Sequence, residues 1–184
     1  MTEKQIAQWI KVNLGPIIQK ALSQRPGKIY TEEWLGAMVQ REVGFLIARY
    51  VEQNAKFDAI CSLMRGDYSQ RTGETEKQYH GFGFFQIDVA SFPDFVKSGA
   101  WKDPLKTCLK AIDVLEAKRK YLETKSEYQE LTNDQKCRAI TAAYNTGEGN
   151  AFKSILAKRD VDFTTHNKDY SKEVWRFKDI YKSV

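Results

Sequence analysis

With 184 residues, of which 42% are hydrophobic, 29% charged and 12% aromatic, the chain can bury a core of its own as one domain, and the composition excludes a disordered or fibrous protein. A net charge of +5 favours polyanionic partners (nucleic acid, an anionic membrane surface or bacterial cell wall) without choosing among them, and no apolar run approaches the length of a membrane span. Cys61, Cys108 and Cys137 are an odd number without CxxC spacing, which argues against a disulfide framework and for buried thiols in a reducing compartment.

The first predicted helix covers about Glu3 to Ser23, with Ile6, Ile10, Leu14, Ile17 and Leu22 at helical spacing and a kink or break at Gly15-Pro16. After the turn signal RPGK, Thr31 is an N-cap candidate, and Glu32 and Glu33 complement the dipole of a second helix that reaches Glu42 and ends near Gly44. A short helix is expected around Ala59 to Met64. The polar stretch RGDYSQRTGETEKQYHG reads as loop.

Within HGFGFFQID, His80 to Asp88, GFFQID is the only strand-like pattern. Alternation along the run sends Phe82, Phe84 and Gln86 to one side and Phe85 and Ile87 to the other, and its glycines permit positive φ or a close approach to a ligand. Asp103-Pro104 opens the best-marked helix, with an apolar stripe from Leu105 to Leu122. Thr132 and Gln135 have capping-box spacing before a helix that ends near Tyr144, and AYNTGEGN follows as a helix stop and connector. A last helix starts near Asp169 and carries Tyr170, Val174, Phe177 and Tyr181 on one face. The fold class is therefore mainly α, a helical bundle with a small β-hairpin or loop region, in one domain over residues 1–184 with residues 1–30 as a helical extension packed on it.

Three segments carry candidate chemistry. Glu42 stands among Val43, Phe45 and Leu46, so desolvation, together with the negative end of a helix dipole, is expected to raise its pKa and make it a proton donor. Asp88 closes QID, where it would sit at the edge of a cleft walled by one side of the run; a buried hairpin with a capping aspartate has the same pattern. Tyr144 and Asn145 bring a phenol and an amide to a helix end, where sugar hydroxyls and acetamido groups find partners.

Taken together, Arg41-Glu42, GFGFFQID, AYN-x-G-x-G-N at Ala143 to Asn150 and TTHNKDY at Thr164 to Tyr170 resemble, in order and spacing, the goose-type lysozymes and the wider lysozyme-like lytic transglycosylases. The resemblance extends over about residues 31–181. It implies a mainly helical lysozyme-like fold whose cleft holds peptidoglycan glycan strands and cleaves the β-1,4 bond after N-acetylmuramic acid. By match of motif, Glu42 is the general acid and Asp88 one of the aspartates that position water, while Tyr144, Asn145 and Tyr170 contact substrate. Gln86 is a looser substrate-contact candidate. For the second aspartate Asp67 in RGDY is the best match, and Glu76 is the alternative. Val43 replaces a serine usual after the glutamate, and Phe92 replaces a substrate-contacting histidine.

The expected activity is an inverting muramidase, with carboxylates standing on the order of 6.5–9.5 Å from the acid to admit water. The alternatives are a lytic transglycosylase, in which the muramic acid 6-hydroxyl displaces the leaving sugar, and a glycan-binding relative without turnover. A nucleic-acid partner is disfavoured, because HGFGFFQID interleaves no Lys or Arg with its aromatics. His80 and His166 are isolated, so no metal and no other cofactor is expected. The N-terminus lacks the apolar core of a secretory signal, which suggests synthesis in the cytoplasm and action on the wall after release or specialised secretion. The protein is expected to be a monomer outside the membrane, either a phage-type lysin or a delivered antibacterial toxin, and the toxin would be met by a dedicated proteinaceous inhibitor.

Overall fold

The computed structural model describes residues 1–184 and is mainly helical with one small antiparallel sheet. In chain order the elements are α1 (Glu3–Ser23), α2 (Glu32–Glu52), α3 (Phe57–Leu63), β1 (Arg65–Ser69), β2 (Gln78–Phe82), β3 (Ile87–Asp88), α4 (Pro93–Lys97), α5 (Pro104–Glu123), α6 (Ser126–Gln129), α7 (Asn133–Thr146), α8 (Glu148–Leu156) and α9 (Tyr170–Lys182). Short 3₁₀ turns at Ala100–Lys102, Val161–Thr164 and His166–Lys168 complete the connections. No helix is long and apolar enough to cross a membrane.

The predicted caps form as the side-chain chemistry requires. Thr31 Oγ1 accepts from Trp34 N at 3.3 Å, Asp103 Oδ1 from Leu105 N at 2.9 Å, and Thr132 and Gln135 exchange both bonds of a capping box. Central α2 packs against α1 and α9. Trp34 Nε1 donates to Thr141 Oγ1 at 3.0 Å inside the core, fixing α2 relative to α7. Tyr181 OH donates to Glu32 Oε1 at 2.7 Å, fixing α9 relative to the start of α2. On α9, Tyr170, Val174, Phe177 and Tyr181 are all buried, as their spacing predicts.

Several local expectations are corrected. Helix α1 runs unbroken through Pro16. Proline there removes the donor that the Val12 carbonyl would use, but Val12 is 62% exposed, so that carbonyl lies on the solvated side of the helix. Gly15 is explained by close packing, since a Cβ there would stand 3.0 Å from Glu32 Oε1. Moreover Ile10, Leu14 and Ile18 are at most 3% exposed within one core that runs from Ile6 to Tyr181, so α1 builds the core instead of lying on it.

Helix α2 does not end near Gly44. It continues to Glu52, because Val43, Gly44, Leu46 and Ile47 are buried and tertiary packing outweighs the low helix propensity of one glycine. The stretch read as loop contains β1 and β2, paired with Gly66 opposite Gly81 and Tyr68 opposite Tyr79, whose rings lie 4.8 Å apart. Conversely, residues 83–86 of the strand-like run form a tight turn, with Gly83 at φ 75°. Alternation is lost there, and Phe84 and Phe85 are both buried. The presumed connector after Gly147 folds as α8.

Cys61 and Cys108 are buried, Cys137 is partly buried, and all three are free thiols.

Candidate active site

Glu42 lies in the middle of α2, a full ten residues before its last residue, so the helix end contributes nothing to its acidity and that part of the expectation is corrected. Desolvation is the main cause that pushes its carboxyl up to about 7, and it outweighs the hydrogen bond from Tyr170 and the positive charge of Arg41, both of which favour the ionised form. The carboxyl is not in bulk solvent. Tyr170 OH donates to its Oε1, and the Tyr170 phenol is held well above the usual tyrosine range by burial and by the charge of Glu42.

Arg41 supplies the next layer. Its guanidinium stands 5.5 Å from the centroid of the Tyr170 ring, and Nη2 donates to Asp169 Oδ1 at 3.4 Å. Neighbouring residues of α2 thus grip both ends of the Asp169-Tyr170 pair. The segment that delivers Tyr170 is in turn built on Asp162, a fully buried carboxylate that the sequence reading missed. Asp162 accepts from Ser171 N at 2.8 Å, Ser171 Oγ at 2.7 Å, Lys172 N at 3.1 Å and Arg138 Nη2 at 3.3 Å. Two of these donors are free N–H groups in the first turn of α9, which an anion is well suited to satisfy. The only sequence signal was an acidic residue shortly before TTHNKDY.

Tyr144, near the end of α7, links the acid to the β region. Burial and then the charge of Glu42 raise its phenol far above the usual range, and its OH donates to Phe85 O at 2.7 Å. Phe85 belongs to the turn between β2 and β3, so Tyr144 touches the segment that carries Gln86 and Asp88.

Gln86 sits at φ 48°, an uncommon region for a residue with a side chain. Its Nε2 donates to Gly83 O at 2.9 Å, and its amide folds back over the paired glycines Gly66 and Gly81. A Cβ on either glycine would overlap Gln86 Oε1. Close approach at Gly81 is therefore to a side chain of the protein, where the sequence alone suggested a ligand.

Asp67 and Asp88 meet through a residue that the sequence reading passed over. Arg71 Nη2 donates to Asp67 Oδ2 at 2.7 Å, and Nη1 donates to Asp88 Oδ2 at 2.6 Å. The second oxygens are also held: Asp67 Oδ1 accepts from Ser69 Oγ and Asp88 Oδ1 from Ser91 N, each at 2.9 Å. Partial burial works against ionisation at both sites, but the hydrogen bonds from Arg71 and the serines outweigh it and hold both carboxyls below the usual range. Glu76 lies exposed in the same loop, outside this contact. A basic residue four positions after Asp67 was the available clue to Arg71, and it is a weak one.

A cleft of about 80 Å³ brings Gln86, Asp88 and Tyr144 together with Phe92, Val114 and Lys118. Phe92 has Lys110 Nζ 3.8 Å from its ring centroid. Val43 is wholly buried in the core and takes no part. Asn145 stands apart from this cleft, exposed, with Oδ1 accepting from His166 N at 3.0 Å, which ties the end of α7 to the segment before α9. A larger cavity of about 680 Å³ runs along another flank of α2, past Arg41, Phe45 and Asp169, and contains none of the candidate residues. Volume and chemistry thus separate. The smaller cleft is the better candidate for a reaction centre because it holds Asp88, Gln86 and Tyr144; Glu42 and Asp67 do not line it, and Tyr144 is the lining residue that feels the charge of Glu42.

No protein-family model matches the chain, and comparison with curated proteins gives no match.

Proposed function

We propose that the protein is a peptidoglycan-cleaving muramidase that hydrolyses the bond between N-acetylmuramic acid and N-acetylglucosamine. The observation that carries this reading is the opposed acidity of its carboxyl groups: Glu42 is raised to about 7, whereas Asp67 and Asp88 are both lowered. Two sets of carboxyls driven apart in this way can act at one pH as acid and as base.

In the proposed mechanism Glu42 donates its proton to the departing glycosidic oxygen as the C–O bond breaks. Asp67 and Asp88, ionised at neutral pH, hold and polarise the water that attacks the anomeric carbon, and one of the two carboxylates accepts the proton that this water loses. Tyr170 keeps the Glu42 carboxyl in one orientation and stabilises the carboxylate left after proton transfer. Tyr144 and Gln86 form the wall against which the sugar is placed, and the four-motif resemblance to goose-type lysozymes supports the choice of substrate. Asn145, occupied by a backbone contact, is a weaker substrate contact than the other candidates.

The test is turnover of purified cell wall by the wild type and by Glu42→Gln. Hydrolysis leaves a reducing end, and its loss in the variant with an unchanged fold supports the assignment. A 1,6-anhydro end would identify intramolecular transfer by the substrate's 6-hydroxyl and overturn the role given to water. Near-wild-type turnover by Glu42→Gln would overturn the acid. Expression in bacteria with and without an added export signal checks the compartment, with lysis expected only on export.

A further inference from the structure

We infer that Arg71 is a positioning residue whose guanidinium clamps Asp67 and Asp88 into one ionised pair, aimed by a preformed turn between β1 and β2. The inference rests on the muramidase reading for its catalytic consequence, but the clamp is a physical claim in its own right.

Asp67 and Asp88 belong to strands that do not pair with each other, since β2 lies between β1 and β3. Two like charges brought to one place repel, and a carboxyl with another anion beside it ordinarily keeps its proton. A single guanidinium is the group suited to the position, because its planar fork presents separate N–H donors to two acceptors at once. Here Nη1 and Nη2 are divided between the two aspartates. With Ser69 and Ser91 on the far oxygens, each carboxylate is fixed at both ends, so its rotation is restrained.

The loop that carries Arg71 is itself held. Glu74 Oε2 accepts from Arg71 N at 2.7 Å, Glu74 N donates back to Arg71 O at 3.0 Å, and Glu74 Oε1 accepts from Gln78 Nε2 at 2.8 Å. Glu74 Oε2 also lies 3.3 Å from Nε2 of His80, a buried ring whose same nitrogen is 3.1 Å from Ser69 O. His80, the first residue of HGFGFFQID, thereby anchors the turn from inside the sheet. Other titratable or charged groups facing the pair are Lys118 of α5 and Tyr144 of α7, which line the cleft with Asp88.

The experiment compares wild type, Arg71→Ala and Arg71→Lys, each checked for folding by circular dichroism. It combines cell-wall turnover across the acid range with a carbon-13 titration of the Asp67 and Asp88 carboxyls, assigned through Asp→Asn variants. Arg71→Ala is expected to lose about 10- to 100-fold in kcat with KM within about twofold, as follows from misplaced groups, while both carboxyls and the acid limb of the profile move to higher pH. Arg71→Lys is expected to restore part of the carboxyl acidity and little of kcat, because an ammonium cannot fork between two acceptors. Unchanged kcat with an unmoved acid limb would overturn the positioning role, and a gain in activity would mark Arg71 as a plug instead. If the wild type turns over no cell wall, the muramidase reading fails, and the clamp is still decided: carboxyl titrations that stay in place in Arg71→Ala would overturn it.

Discussion

The hydroxyl of Tyr170 donates a hydrogen bond to Glu42, a residue 128 positions earlier in the chain, and this contact joins the middle of α2 to the first residue of α9. Hydrogen bonding to a carboxylate favours its ionised form. Tyr170→Phe is therefore expected to raise the Glu42 pKa further above 7, roughly by one unit, and to move the alkaline limb of the activity profile upward. Activity at the optimum should fall several-fold as the carboxyl loses its orientation. A pH-rate profile of the variant checks both effects.

Burial of Glu42 also gives stability a definite pH dependence. The folded state keeps the proton up to about 7, whereas an unperturbed glutamate releases it near 4.5, so the folded state binds more protons across that window and loses stability as pH rises through it. With about 1.4 kcal/mol per unit, the loss approaches about 3 kcal/mol. Glu42→Gln cannot ionise, so at pH near 8 it should be more stable than the wild type by up to that amount, roughly 3 kcal/mol, with the gap closing towards pH 4.5. Urea denaturation at several pH values measures it.

Gln86 and the glycine pair make a coupled unit. Gly66→Ala or Gly81→Ala places a methyl group where Gln86 Oε1 lies, and expelling that side chain is expected to cost roughly 1–3 kcal/mol and most of the activity. Adding Gln86→Ala vacates the space and should recover much of the lost stability but not the activity. A double-mutant cycle by thermal melting reads the coupling directly.

Asp162 is expected to be the most damaging single site outside the cleft. Its removal leaves the first N–H groups of α9 without their acceptor in a buried setting, while Arg138 keeps Asp160 at 3.2 Å. Asp162→Ala should destabilise by roughly 2–4 kcal/mol, the cost of buried donors left without a partner. Asp162→Asn, which keeps one acceptor oxygen, should cost less. Chemical denaturation ranks the two variants.

The elements read most accurately were those with local causes. Thr31, Asp103 and Thr132 each cap the backbone within three residues, and the stripe on α9 records one buried face. The failures share the opposite character. Gly44 looked like a helix end because nothing local showed that its neighbours would be buried, and β1 with β2 looked like loop because their pairing is held by partners distant in the chain, such as Tyr68 with Tyr79 and Gly66 with Gly81. In the reverse sense, FFQ looked like alternating strand, although the fold needs both Phe84 and Phe85 inside.

The site divides in the same way. The sequence by itself determined a mainly helical chain and singled out Glu42, Asp67, Gln86, Asp88, Tyr144, Asn145 and Tyr170, because residue types and spacing are local properties. Only the tertiary structure decided that the pKa of Glu42 is raised without help from a helix end, that Asn145 is engaged by His166, and that Arg71 unites two aspartates. Acidity and orientation are set by what surrounds a group in space, and those neighbours come from distant parts of the chain.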